Sequence, residues 1–321
     1  MRKLASLVCA LGLAAAAAGA AAQDYPNRPL KIVQGFAPGG NADTIARVLA
    51  QEMSKGLGQP IVVEARPGAG GNLAPDAVAR ATPDGYTLLL VTGGHAVSGA
   101  LYKSLTYQTV DSFEMISTAT FFPFVIIVRS DARLQSLPAL LEGARAAPES
   151  ITFGTAGIGA TQHLTGELLA SMAGVKLLHV PYRGDAAALT GLLGGETTFV
   201  IAPATAALPH IKAGKLKAVA VTGSTRWQGM PDVPTVEEGG VAGFDVRSWI
   251  GLATTAGTPR PIVERLNAEV QRTLLVPEVR ARLEGFGGEV RGSTPAEMRG
   301  RVVTEVQRWA RVIRDAKIQQ Q

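Results

Sequence analysis

The pattern that most limits how this chain can fold is a repeated unit of apolar strand, glycine-rich turn and helix. LKIVQGF at 30–36 runs into APGGN at 37–41, and Ile45, Val48, Leu49 and Met53 then recur at helical spacing. PIVVEAR at 60–66 is a second β-branched run, PGAGGN is its turn, and LAPDAVARA reads as a helix before the turn TPDG and the strand YTLLLVT. Strands alternating with helices in this way argue for an α/β chain built on a parallel sheet covered on both faces.

Near Thr120 the rhythm changes to the extended run FFPFVIIVR, and after a helix near 137–147 the alternation restarts with ITFGTA, a glycine turn and a helix over 160–173. VKLLHVPY, a helix over 185–193, TTFVIA, a short helix to Ala213 and LKAVAVT complete a second α/β unit. From Val246 the strand VRSWIGLAT leads into mostly helical sequence. The last helix opens on Thr294-Pro295-Ala296-Glu297, a capping box with proline at the first helical position, and Met298, Val302, Val306, Trp309 and Ile313 form its docking face. Two extended crossings, near 118–128 and 246–254, predict two lobes joined by a hinge: residues 23–123 plus 247–321, and residues 124–246. The cleft between them is the expected ligand site.

Residues 1–22 read as an export signal, with Arg2 and Lys3 before an apolar run and Ala20-Ala21-Ala22 before Gln23. The one cysteine, Cys9, lies inside it and too early to accept a lipid, so the expected product is secreted, soluble and without thiols. Removing Arg2 and Lys3 from 31 basic residues, against 26 acidic ones, leaves a net charge of +3. No basic run is interleaved with stacking aromatics, so nothing points to nucleic acid.

Catalytic constellations are missing. There is no G-x-S-x-G, H-E-x-x-H or C-x-x-C, and the Gly214-Lys215 pair is followed by leucine rather than by Ser or Thr. Gly157-Ile158-Gly159 follows a strand, but Gln162 stands at the third glycine position of a dinucleotide fingerprint, and the next strand ends in Tyr182-Arg183 where an acid is wanted. His163 and Glu167 lie one helical turn apart; two ligands make a poor metal site, and a surface hydrogen bond or ion pair is the better reading. No catalytic residue, metal or cofactor is expected.

The glycine turns carry more as a set. Pro38-Gly39-Gly40-Asn41 and Thr155 to Thr161 each end a strand and open a helix, and such turns present backbone N–H groups and the positive end of a helix dipole to an anion. The plain alternative is that they only connect strand to helix. A third turn, Gly68 to Asn72, follows the adjacent strand and reads as either a second contact or a structural turn, the structural role being favoured.

From Tyr25 to about Ile318 the chain resembles the Bug family, the periplasmic substrate-binding proteins of tripartite tricarboxylate transporters. The resemblance rests on YPNRPLKIV, FAPGGNAD, ARPGAGGN, PDGYTLL, GTAGIGATQHLTGEL, HVPYRG, ALPHIKAGKLKAVAVT, PDVPTVEEGG and SWIGLATTAGTP. It implies a two-domain, type II (Venus-flytrap) periplasmic binding protein fold with a hinge of two crossing strands. It also implies a monomer that passes a small carboxylate to membrane components of a transporter. A ligand-sensing role with a signalling partner stays open, as does a secreted α/β enzyme acting on a carboxylic acid.

Carried onto this sequence, the ligand loops are Phe36, Pro38, Gly39, Gly40, Asn41 and Asp43 in the first lobe, and Thr155, Ala156, Gly157, Gly159, Ala160, Thr161 and His163 in the second. His95 and Ala202 join them as wall positions. The chain departs from the family pattern at Ala37, Asn41, Ala42 and Ala202. Family members commonly carry an acid where Ala202 stands, so amino and hydroxy acids become less attractive ligands, and an acid with an apolar or aromatic body is the expectation. Asn41 is a residue type that can itself serve as a helix N-cap, which bears on the contacts of the first loop.

Overall fold

The computed structural model describes residues 25–285 and 287–321; the export signal expected over 1–22, with Cys9, lies outside them. The first unit runs β1 (Leu30–Gln34), α1 (Asn41–Leu57), β2 (Ile61–Ala65), a 3-10 turn at Ala69–Gly71, α2 (Leu73–Ala79), β3 (Thr87–Thr92) and α3 (Gly93–Leu101). β1 pairs in parallel with both β2 and β3, as the alternating pattern requires.

β4 (Phe113–Arg129) is a 17-residue strand that takes part in two sheets. The second unit follows as α4 (Leu137–Ala146), β5 (Thr152–Thr155), α5 (Thr161–Ala173), β6 (Leu178–Pro181), α6 (Asp185–Gly194), β7 (Phe199–Pro203), α7 (Ala204–Lys212) and β8 (Leu216–Val221). β9 (Arg247–Thr255) then leads to α8 (Arg260–Leu275), α9 (Pro277–Gly285), β10 (Glu289–Val290) and α10 (Pro295–Asp315).

Pairing along β4 changes partners midway. From Phe113 to Pro123 it pairs with β9, which is itself inserted beside β3; from Phe124 onward it pairs with β7 on one side and β8 on the other. All these contacts are antiparallel, while β5, β6 and β7 run parallel. The sheets are therefore mixed, not wholly parallel as the alternation implied. The reason is geometric: β9 carries the chain back in the direction opposite to β4, so it must lie antiparallel to the strands it joins.

α3 was not foreshadowed by periodicity. Eight of its nine residues are buried, so it has no polar face to create a helical repeat. It is held by α10, which packs against α3 and β4. Met298, Val302, Trp309 and Ile313 of α10 are buried, and each of the aliphatic three contributes roughly 2 kcal/mol by leaving water. The expected capping box is present: Thr294 Oγ1 accepts from the Glu297 N–H, and the Glu297 carboxylate accepts from the Thr294 N–H. No helix among the described residues is long and apolar enough to cross a membrane.

Candidate functional site

The two halves of the sheet meet around a cavity of about 40 Å³. From the first half come Phe36, Asn41, Ala42, Thr92, Gly94, Phe122, Ser248 and Ile250; from the second come Phe124, Thr161, Gln162, Asp185 and Pro203. The first turns of α1 and α5 thus face each other under the crossing strands, with the amide-rich ends of both helices toward the cavity.

The loops before these helices are braced from within. Asp43, in the first turn of α1, accepts from the Gly39 N–H at 3.1 Å and from Arg47 at 2.9 Å and 3.1 Å, and Gln34 Oε1 accepts the Phe36 N–H at 2.7 Å. Burial alone would raise the Asp43 carboxyl; the Arg47 guanidinium and the Gly39 N–H outweigh it and hold it below the usual carboxylate range. In the second loop the Gly157 N–H donates to Thr155 Oγ1 at 3.3 Å, and the Gly159 N–H to His163 Nδ1 at 3.4 Å. Gly39, Gly157 and Gly159 hold φ of +82°, +135° and +83°, which side-chain-bearing residues rarely adopt. Several amides expected to grip an anion are thus already spent on preorganising the loops.

Beneath the second loop two imidazoles stack, His163 on His179, with ring centroids 4.2 Å apart. His179 Nε2 lies 2.7 Å from Thr155 Oγ1. Burial pushes His163 down to about 4 and His179, with His163 beside it, to about 3, so both are neutral at pH 7. His163 Nε2 stands 3.8 Å from Glu167, a distance that makes no ion pair with a neutral ring. Among the described residues no group of three or more potential ligands could hold a metal.

The cleft is shut by direct contacts. Thr205 Oγ1 donates to Asn41 Oδ1 at 2.8 Å, and the Gly70 backbone lies so close to the Ile158 carbonyl that a β-carbon at Gly70 would collide with it. A β-carbon at Gly93 would stand 2.8 Å from Ser248 Oγ and 3.0 Å from Thr161 Oγ1. The turn over 68–72, for which the sequence favours a structural role over a second contact, touches the opposite loop. So does the start of α3.

The sequence-derived positions separate accordingly. Phe36, Asn41 and Thr161 line the cavity, and Gly40 abuts it: a β-carbon there would lie 3.7 Å from Asp185 Oδ2. Pro38 and Gly39 are exposed at the loop tip, and Thr155, Ala156, Gly157, Gly159, Ala160 and His163 form the loop and its support. Asp43 is a brace. Asn41 is not the helix cap; Gly40 is, and Asn41 bonds across the cleft instead. Ala202 is packed in the core with Val125 and Ile127, because side chains alternate along β7 and its neighbour Pro203 takes the cavity side.

His95 sits behind Phe36, against a separate cavity of about 20 Å³, stacked on Tyr107 and edge-on to Phe113. Its Nε2 lies 2.7 Å from the Thr109 carbonyl, which can only accept, so Nε2 carries the proton. Burial pushes it down to about 4.

Sequence reasoning missed Thr92, Phe122, Phe124, Gln162, Asp185, Pro203 and Ser248. Thr92 could have been found, since Gly93-Gly94 after the strand TLLLVT repeats the strand–glycine–helix signal. Asp185 follows another glycine at a helix start. Its Oδ1 accepts from Gln162 Nε2 at 3.0 Å, and burial pushes the carboxyl up to about 6, opposed only in part by the Asn41 N–H and Gln162.

Two α/β lobes, two crossing strands and a cavity walled by a helix start from each lobe define a solute-binding protein of the periplasmic type. The tripartite tricarboxylate transporter family receptor pattern matches residues 45–318, and the chain belongs to that family. The solved periplasmic binding protein BugD superposes with a TM-score of 0.88 at 38% identity, covering 92% of this chain and all of BugD. A Rhodopseudomonas palustris protein solved with adipate gives 0.88 at 33% identity, covering 92% and 99% of the two chains. MatC from Rhodopseudomonas palustris, solved with malate, gives 0.85 at 35% identity, covering 90% and 100%.

Proposed function

We propose that this protein is a non-catalytic receptor that captures a small organic carboxylate in the periplasm, closes two lobes over it and presents it to the membrane components of a tripartite tricarboxylate transporter. The observation that carries this reading is the cavity itself, in which the first turns of α1 and α5 converge from opposite lobes. Helix N-termini favour anions, and adipate and malate, bound by two of the structural neighbours, are both dicarboxylates.

The lobes are residues 23–123 with 247–321, and 124–246. The change of pairing partner between Pro123 and Phe124 supports the boundary, since Pro123 pairs with Arg247 and Phe124 with Pro203. A cavity of about 40 Å³ has room for a few waters. Entry of an organic acid therefore requires the lobes to part. The receptor acts as a monomer after removal of residues 1–22, and needs no cofactor.

The test is a thermal-shift screen of the purified protein against mono-, di-, tri- and aromatic carboxylates, followed by calorimetry. A ligand at 100 times its Kd stabilises by about 2.7 kcal/mol. Turnover of a bound acid, or no stabilisation by any carboxylate, would contradict the reading.

A further inference from the structure

Among the described residues Asp185 is the one ionisable side chain on the wall of the interlobe cavity. The rest of the polar lining consists of the hydroxyls of Thr92, Thr161 and Ser248 and the amides of Asn41 and Gln162. Among the described residues no lysine, arginine or histidine lines it. A carboxylate ligand therefore enters a site whose fixed charge has its own sign. Like charges in a poorly hydrated cleft repel strongly, so something must intervene between them.

The geometry of Asp185 indicates what that is. Oδ1 is held by Gln162 from the same lobe at 3.0 Å. Oδ2 points across the cleft toward the start of α1, 3.7 Å from where a β-carbon of Gly40 would be. An ionised carboxylate accepts at about four positions and donates none. Gln162 and the Asn41 N–H account for two of them, which leaves acceptor capacity facing the cavity. Of the other charged groups near the loops, Asp43 is paired with Arg47 and turned into its own loop, His163 lies under the second loop, and Arg183 is exposed rather than on the cavity wall.

We propose that Asp185 determines specificity by selecting, among small carboxylates, those that carry a hydroxyl or ammonium donor close to the carboxylate. The inference rests on the carboxylate reading of the same cavity. The ligand's donor meets Asp185 while its carboxylate meets the first turns of α1 and α5. A donor-free acid leaves the Asp185 oxygens without a partner beside a second anion. Sites built to bond a donor reject the analogue lacking it more strongly than apolar pockets reject a size change. This reverses the expectation drawn from Ala202: the acid absent from β7 is supplied by the start of α6.

The experiment uses acids matched in skeleton and differing in one donor. Succinate, malate and aspartate form one series, and propionate, lactate and alanine another, titrated calorimetrically into the wild-type protein and Asp185→Asn. The wild type is expected to bind a donor-bearing member at least tenfold more tightly than its donor-free twin. In Asp185→Asn that ratio falls below about threefold and the donor-free acid gains affinity, with an unchanged thermal midpoint showing that the variant is folded. Equal affinity within the wild-type series, or a preference that survives in Asp185→Asn, overturns the role of Asp185 and leaves the carboxylate reading standing. No binding by any carboxylate overturns that reading and this inference together.

Discussion

Thr205 on α7 donates its hydroxyl to the Asn41 side chain at the start of α1, a 2.8 Å hydrogen bond that crosses from one lobe to the other. The two residues lie 164 positions apart in the chain and meet only when the cleft is shut. A bond of this kind contributes about 1 kcal/mol net to the state in which it forms. Thr205→Val should therefore shift the ligand-free protein toward an open form and weaken ligand binding by roughly fivefold. Small-angle scattering of the ligand-free protein and calorimetry of a bound acid would register the two effects; an unchanged radius and affinity would mean that this contact does not bias closure.

Gly70 meets the opposite lobe with no room for a side chain. Its φ is +67°, and an added β-carbon would strike the Ile158 carbonyl. Gly70→Ala is expected to hold the lobes apart and reduce binding by tenfold or more. Gly39→Ala is the control: φ is +82° but the surrounding space is open, so it should cost about 1 kcal/mol of stability through backbone strain alone. Equal binding losses in the two variants would remove the closure argument.

Asp43 and Arg47 should behave unequally although they form one ion pair. The Asp43 side chain is 5% exposed and also serves the Gly39 N–H and Gln34, whereas that of Arg47 is 59% exposed. Asp43→Ala is expected to lower stability by about 1–3 kcal/mol and to loosen the first loop, weakening binding. Arg47→Ala removes only a solvent-screened partner and should leave the unfolding midpoint nearly unchanged. Denaturant unfolding of both variants decides the matter.

The three histidines around the site set the acid limit of the protein. His95, His163 and His179 fall from the ordinary 6.5 to about 4, 4 and 3, so the unfolded chain binds more protons than the folded one in the interval. Their contribution is complete above pH 6.5 and is lost as pH falls through that window; for His95 alone it is roughly 3 kcal/mol. Asp185, raised from 3.8 to about 6, works the other way: its contribution is complete below pH 3.8 and gone above about 6. One carboxyl offsets only part of three imidazoles. The thermal midpoint at pH 4.5 should thus lie about 5 °C or more below that at pH 7. A flat midpoint across this range would exclude buried neutral imidazoles.

Most of the elements were legible because their signals are local. The strands and helices of both α/β units follow from periodicity and glycine turns, and the capping box of α10 is spelled out within four residues, Thr294 to Glu297. α3 escaped because burial on every side erases periodicity. The glycine loops do hold the positive φ that their residues allow, yet their amides are engaged by Asp43, Thr155 and His163, partners whose direction no spacing rule reports.

By itself the sequence determined which segments are extended or helical, which faces are apolar, and that two similar units are separated by extended crossings. The tertiary structure decided which strands lie side by side, that Ala202 faces the core while Pro203 faces the cleft, and that Asp185 is the charge in the cavity. The division has a physical cause. Periodicity and turn chemistry depend on residues a few positions apart, whereas the cleft is made by contacts such as Asn41 with Thr205, whose partners are joined only by the packing of two lobes.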